Sequence, residues 1–532
     1  MPEPLKLKGI SASAGYAEGP LFNLDPIAVR YAGKATAAEE RLALETALGI
    51  ATGRLVTLIE ASDGDAADIL EFQVAMLEDD ALTGPAFAKI ASGQPADAAW
   101  RQALDAEISG YETSDQDYFR ARAADMRDIR DQVLRALTED SESAAPAGAI
   151  FFGEDIAPSR FLETDWTSGG GIALKAGSAA SHVAMLARSR GVPMVVGLGA
   201  GGGDLPAHLA GVALLDAEHG GIVLAPSKAE IEAFRLLSSS FAAHRDRAET
   251  FLTRPAVTKA GTAVRVQVNI ADPSDVDGID VSACDGVGLM RTEFLFGKTL
   301  PDEETQYRAY RKVLEWAGDR PVTIRTVDAG GDKPVPGLTV GETNPFLGLR
   351  GIRLSLARPE VFRVQIRALL RAAVHGNLKV MFPMIAVADE YERAAALFSE
   401  EQAGLAERGV MQRMPPLGIM VEVPSTAIAP EAFADVAFFS IGSNDLTQYV
   451  MAAARDNASV AHLNSVRHAA VLRLIASVAA FGQEKRIPVS LCGDAGGDPA
   501  AIPALIEAGL RDLSVAPAQL AMAKAAIADV SI

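Results

Sequence analysis

Apolar residues follow three rhythms along the chain, and the changes of rhythm divide it. Over residues 1–30 short apolar runs alternate with Gly15, Gly19 and Pro20, a pattern that predicts one or two strands joined by turns. From about residue 36 the period lengthens. Thr36-Ala-Ala-Glu39 has the form of a capping box, and Leu44, Leu48, Ala51, Leu55 and Leu58 follow at steps of four and three, one face of a helix. Alanine- and acid-rich helical pattern continues through 66–77 and 117–137, so 31–144 reads as a helical block. Short strands such as Ala149-Ile-Phe-Phe152 and Val212-Ala-Leu-Leu215 return over 145–225, between glycine clusters at 169–171 and 201–203 that read as turns. Strand-type sequence on both sides of the helices predicts that 1–30 and 145–225 form one small α/β domain, with the helical bundle as an insertion. Residues 226–255 read as a polar linker helix and a hinge region.

Beyond 256 the rhythm is strand, then helix, repeated. Eight strands are predicted: Val264 to Ile270, Gly286 to Met290, Val322 to Thr326, Lys379 to Met384, Leu417 to Val421, Val436 to Ile441, Pro488 to Leu491, and Asp512 to Val515. Eight is the number for a closed (β/α)8 barrel, and 256–532 supplies about the length one needs. An open doubly wound sheet is the alternative, but the Gly-rich turn it wants after its first strand is not found after Ile270.

A barrel of this kind forms its active site where the strands end. The polar residues at those points are Arg291, Arg325, Asp328, Glu422, Asn444, Asp445 and Cys492, with Arg350 and Arg455 in the following loops. Any one arginine reads first as a surface or ion-pair residue. Four at one rim of an acidic chain imply an anionic ligand, because the guanidinium fork pairs with phosphate and carboxylate. Glu422 and Asp445 are hard oxygen ligands on neighbouring strand ends and suit Mg2+ completed by water and substrate oxygens; a salt bridge or a helix cap is the bland alternative for Asp445. Cys492 reads by default as a small buried hydrophobe and, beside an anion pocket, as a proton donor. Cys284, before a strand, reads as structural.

Composition narrows the classes. The 532 residues are 49 % hydrophobic and 22 % charged, which excludes a disordered or fibrous chain. The net charge of -20 opposes wrapping nucleic acid or resting on an anionic membrane. No apolar stretch of 18 residues and no basic, apolar leader is read in the sequence, so neither membrane insertion nor a signal peptide is expected. Two cysteines, far apart, fit a reducing cytoplasm. The glycine clusters form neither a phosphate-binding loop of the GxxxxGK[ST] type nor a dinucleotide fingerprint. His182, in Gly177-Ser-Ala-Ala-Ser-His182-Val-Ala-Met-Leu-Ala-Arg188, stands at a helix start, where the positive dipole end favours a neutral, nucleophilic imidazole and would accept a phosphoryl group on it. The other six histidines read as structural.

These residues sit in recognisable runs. Asp285-Gly-Val-Gly-Leu-Met-Arg291-Thr-Glu-Phe-Leu-Phe296, Arg325-Thr-Val-Asp328 with Gly330-Gly-Asp-Lys333, Asn344-Pro-Phe-Leu-Gly-Leu-Arg350 and Phe439-Ser-Ile-Gly-Ser-Asn-Asp-Leu-Thr-Gln-Tyr449 resemble, in order, the motifs of enzyme I of the bacterial sugar phosphotransferase system and related phosphoenolpyruvate-using enzymes. Residues 6–20 resemble that family's opening strand, 115–134 part of its helical domain and Ser181-His182 its phosphohistidine motif.

The resemblance implies that His182 takes the phosphoryl group of phosphoenolpyruvate on Nε2 and passes it to a histidine of the small carrier protein HPr, releasing pyruvate. It implies that Arg291, Arg325, Arg350, Asn444, Asp445 and Arg455 bind substrate, that Glu422 and Asp445 hold Mg2+, and that Cys492 protonates the enolate. It implies further that the helical insertion docks HPr and that the barrel carries a homodimer contact. Some positions depart from the family pattern. Ala180 removes a hydroxyl near His182, Ala454 replaces an acid before Arg455, Asp494 replaces a glutamate after Cys492-Gly493, and Gln73 stands where histidine is common. An ATP-charged dikinase would need a further ATP-binding region for which this chain has no room. A magnesium-dependent lyase would have no use for His182.

Overall fold

The computed structural model describes residues 4–24, 31–60, 65–112, 117–138, 145–177, 181–199, 211–296, 300–331, 335, 337–339, 342–454 and 460–532. They fall into two compact units, Met1–Ala242 and Ala243–Ile532. The side chain of His182, and Ala180 and Arg455 altogether, lie outside the described residues.

In the first unit β1 (Leu5–Lys8), β2 (Ile10–Ser13) and β3 (Tyr16–Asn23) precede five helices, and β4 (Ile150–Gly153), β5 (Gly171–Leu174), β6 (Met194–Val196), β7 (Val212–Asp216) and β8 (Gly221–Leu224) follow them. The eight form one mixed sheet in the order β1-β8-β7-β3-β4-β5-β6-β2, so strands from either side of the helices interleave. Three strands form where one or two are expected from the sequence, because Gly15, at φ 130°, turns the chain between β2 and β3.

The helices are α1 (Ala37–Glu60), α2 (Asp65–Leu77), α3 (Asp80–Ala91), α4 (Ala96–Glu112) and α5 (Asp117–Thr138). The capping box forms at the start of α1: the Glu39 amide donates to Thr36 Oγ1 (3.2 Å) and the Thr36 amide to Glu39 Oε2 (3.0 Å). By length and composition α1 is apolar enough to cross a membrane. In the fold its Leu44, Ala47, Ala51 and Leu55 are buried in a core with Trp100, Leu104, Ile129 and Val133. Leu48 and Leu58 are only partly buried, since a 3.6-residue period centres the stripe on Ala47. Buried Asp128 joins the bundle to α6 (Pro158–Glu163): it accepts from Gln73 (3.1 Å), Gln132 (3.0 Å) and the Ser159 hydroxyl (2.7 Å). Gln73 therefore serves this buried network.

Next come α7 (His182–Arg190) and the long α8 (Lys228–Glu249). The first half of α8 is tied to the sheet by Lys6 with Glu230 and Arg235 with Glu18. Beyond it, within the second unit, Lys524 donates to the carbonyls of Leu252 (2.7 Å) and Arg254 (3.0 Å), and Arg247 forks onto Asp529.

The second unit is a closed barrel of eight parallel strands: β9 (Arg265–Ile270), β10 (Val287–Met290), β11 (Pro321–Arg325), β12 (Asn377–Phe382), β13 (Leu417–Val421), β14 (Phe439–Gly442), β15 (Val489–Cys492) and β16 (Asp512–Val515). The seam closes where β16 pairs with β9, and an Arg265–Asp512 ion pair spans it. Val266, Val268, Ile324, Val380, Ile419 and Ile441, with Leu491 and Leu513, share the core between strands and helices, so these strands read as apolar runs in the sequence.

Candidate active site

The carboxyl ends of the barrel strands converge on one cavity of about 150 Å3 lined by Arg291, Arg325, Asp328, Arg350, Glu422, Asn444, Asp445 and Cys492. Arg291 follows β10, Arg325 ends β11, Glu422 follows β13, and Cys492 ends β15. Asn444 and Asp445 open the helix Ser443–Met451 that follows β14. Each strand thus delivers its polar residue one or two positions after an apolar run. Glycine supplies the room: a Cβ on Gly442 would stand 2.9 Å from Glu422 Oε2 and 3.1 Å from Met420, so only a bare backbone leaves this part of the cavity open.

Two buried arginines pair with carboxylates. Arg325, 4 % exposed, donates to Glu293 (3.0 and 3.1 Å) and pairs with Asp328 (3.0 Å), while its Nε has no partner among the described residues. Arg350, 1 % exposed, forks onto Asp328 (3.0 Å twice), reaches Asp445 (3.2 and 3.4 Å) and Tyr449 (3.2 Å), and stacks on Phe346. Burial alone would lower both guanidinium pKa values. The carboxylates outweigh it and raise them, Glu293 and Asp328 for Arg325, Asp328 and Asp445 for Arg350. Arg291 has no side-chain partner among the described residues.

Glu422 is 1 % exposed, and its Oε1 accepts from the Met384 amide at 2.6 Å. Met384 holds that amide in place from a left-handed conformation, φ 59°, which costs a non-glycine residue about 1 kcal/mol or more. Burial, then the carboxylates of Asp445 and Asp328, push the Glu422 carboxyl up to about 8, against the pull of Arg325 and Arg350. Among the described residues no three acidic, histidine or cysteine side chains group as a complete cage for a metal ion.

Asn444 is bracketed by the loop after β15: its Nδ2 donates to Asp494 Oδ2 (3.0 Å) and its Oδ1 accepts from the Asp494 amide (3.1 Å). The shorter acid at 494 therefore still engages its neighbour. Gly493 between them adopts φ 101°, and a Cβ there would lie 2.4 Å from Ser443 Oγ. The Cys492 thiol is 2 % exposed and burial pushes it up to about 11. Cys284 is buried before β10 and outside the cavity lining.

The cavity lining thus brings together Arg291, Arg325, Asp328, Arg350, Glu422, Asn444, Asp445 and Cys492, all eight of them polar residues picked out from the sequence. The barrel adds Glu293, Ser440 and the Met384 backbone, which the sequence reading did not single out. Glu293 stands inside the quoted Arg291 run and had a signal; the Met384 amide had none. His182 is the first residue of α7, whose cap is Ser181, its Oγ accepting from the Ala184 amide at 3.2 Å.

Comparison with known proteins agrees with this geometry. The PEP-binding domain of PEP-utilising enzymes matches residues 245–532, their N-terminal region residues 8–122, and their mobile domain residues 145–220. The class is that of the PEP-utilising enzymes. Phosphoenolpyruvate-protein phosphotransferase of Priestia megaterium is 35 % identical over 541 residues, covering 99 % of this chain and 94 % of its own. That of Geobacillus stearothermophilus is 36 % identical over 534 residues, covering 98 % and 92 %. An NMR solution structure of Enzyme I covers 44 % of this chain and 99 % of its own at 24 % identity, with a TM-score of 0.35, a likeness too loose to bear on the assignment. The chain belongs to the family of phosphoenolpyruvate-protein phosphotransferases.

Proposed function

We propose that this chain moves the phosphoryl group of phosphoenolpyruvate to Nε2 of His182 and then to a histidine of an HPr-like carrier, as the first step of sugar phosphotransferase uptake or of its regulatory counterpart. The observation that carries the reading is the cavity lined together by Glu422, Asn444, Cys492, Arg291 and buried Arg325, with the Arg291 side chain and the Arg325 Nε unpaired among the described residues. In the first step an N–P bond forms at His182 and the bond from phosphorus to the C2 oxygen breaks. The electron pair leaves with the oxygen as enolate, and C3 then takes a proton from Cys492 to give pyruvate. Phosphoryl transfer asks chiefly for positioning and charge neutralisation. Arg291 and Arg325 supply cationic donors to phosphate and carboxylate, Asn444 a bracketed amide, and Arg455 a further cation from outside the described residues. Arg350 acts by holding Asp445 and Asp328 in place.

Glu422 and Asp445 would hold Mg2+. Two hard oxygen donors at one cavity fit that ion, and the Glu422 carboxyl, raised by burial and then by the carboxylates of Asp445 and Asp328, is one whose charged form a divalent cation would favour. Bound there, magnesium would neutralise charge on phosphate and enolate oxygens. Nucleophile and rim belong to separate units of the chain, and turnover requires them to meet. Residues 31–144 are read as the HPr-docking domain, 1–30 with 145–225 as the phosphohistidine domain, 226–255 as the linker and 256–532 as the substrate-binding and dimerising barrel, in a cytoplasmic protein.

The test is incubation of the full chain with magnesium and radiolabelled phosphoenolpyruvate. An acid-labile, base-stable phosphoprotein is expected, and none from His182→Ala; labelling that persists in that variant overturns the assigned nucleophile.

A further inference from the structure

We infer that Ser440 is a positioning residue for the protonation step, its hydroxyl holding the Cys492 sulfur in the orientation from which the thiol serves the enolate. The inference rests on the reading of Cys492 as proton donor. β14 and β15 are parallel neighbours with Ser440 opposite Ser490 and Gly442 opposite Cys492. The Cys492 side chain reaches towards β14, where Ser440 Oγ donates to Sγ at 3.6 Å and the thiol donates to the Ile441 carbonyl at 3.6 Å. Ser443 Oγ separately fixes the Cys492 carbonyl at 3.0 Å, so backbone and sulfur are each held by a serine.

Ser440 is 0 % exposed, and the apolar side chains packed with Cys492 are Leu289, Met381, Met420 and Phe438, while the cavity it lines also holds Arg291, Arg325 and Glu422. In that apolar layer a hydroxyl is costly unless it has a partner, and the sulfur is the partner it has. Burial in that layer disfavours the thiolate that proton donation leaves, against the pull of Arg325 and Arg291. When the S–H bond breaks and C3–H forms, the enolate electron pair becomes the new C–H bond and the sulfur keeps the S–H pair. Ser440 retains its own proton and turns its hydroxyl onto that charge, and water restores the thiol after pyruvate leaves. A hydrogen bond to a charged acceptor is stronger than the same bond to the neutral thiol, so Ser440 acts more on the protonation step than on binding. Alanine at this position keeps the packing and removes only that donor.

The test is a single turnover of the full chain with magnesium and phosphoenolpyruvate, reading acid-labile label on the protein and pyruvate in the same samples. Ser440→Ala is expected to keep the extent of labelling and the half-saturating phosphoenolpyruvate concentration within twofold, and to form pyruvate about tenfold more slowly. Ser440→Thr, which restores the hydroxyl, is expected to recover most of that rate. Pyruvate formed at the parent rate by Ser440→Ala, while Cys492→Ala is slow, overturns the role of Ser440 alone. Labelling and pyruvate formation falling together in Ser440→Ala overturn it in favour of a packing role. A parent rate in Cys492→Ala would instead remove the proton donor itself.

Discussion

Cys492 and Arg325 show how burial at the barrel mouth sets chemistry one side chain at a time. Desolvation raises the thiol to about 11, so at neutral pH Cys492 is a proton carrier and a poor nucleophile. A folded-state pKa above the free value keeps its contribution to stability below the free-thiol pKa and loses it as pH rises towards 11. With Cys284→Ala as background, the rate of iodoacetamide modification of Cys492 is expected to climb about tenfold per pH unit from 7 to 10 with no plateau; levelling near pH 8 would mean an activated thiolate. Arg325 makes two-sided contacts that depend on its fork, with Glu293 on one side and Asp328 on the other. Arg325→Lys keeps the charge and loses the fork, and the phosphoenolpyruvate concentration for half-maximal labelling is expected to rise at least about tenfold. Unchanged saturation would confine Arg325 to a structural role.

Among the elements, the turn that follows α8 is held by Lys524, a buried lysine that donates to the backbone carbonyls of Leu252 and Arg254. Lys524→Met leaves those carbonyls without this donor, and urea unfolding of the barrel is expected to show a loss of about 1–3 kcal/mol; no change in the midpoint would mean water replaces the ammonium. The barrel strands were legible because both faces of a parallel strand are covered, which writes them as apolar runs between helices. Leu417–Val421 and Asp512–Val515 come out at the predicted residues, and the others shift by one to three positions. The β14 run starts at Phe439 rather than Val436 because hydrophobicity marks burial, and Val436 is buried before the strand begins. Rim side chains were legible for the same reason, standing where each run stops. Partnerships were not: nothing in the spacing says that Arg350 spends its fork on Asp328 and Asp445, or that a strained Met384 amide serves Glu422, since those depend on loops brought together only by closure of the barrel.

For the whole molecule, two compact units with separate cores imply separate unfolding. Calorimetry of the full chain is expected to resolve two transitions, and phosphoenolpyruvate with magnesium to raise the barrel transition, by about 2.7 kcal/mol at a hundredfold excess over Kd. A single transition that moves as one body would refute independent units. The sheet of the first unit has a consequence for synthesis. β1 pairs with β8 and β2 with β6, across the whole inserted bundle. At about 5–20 residues per second, the opening strands wait on the order of ten to forty seconds for their partners to leave the ribosome. The bundle, built from local contacts, can fold in that interval. Until those partners emerge β1 and β2 remain unpaired, and chaperone capture is expected at these strands rather than at the barrel.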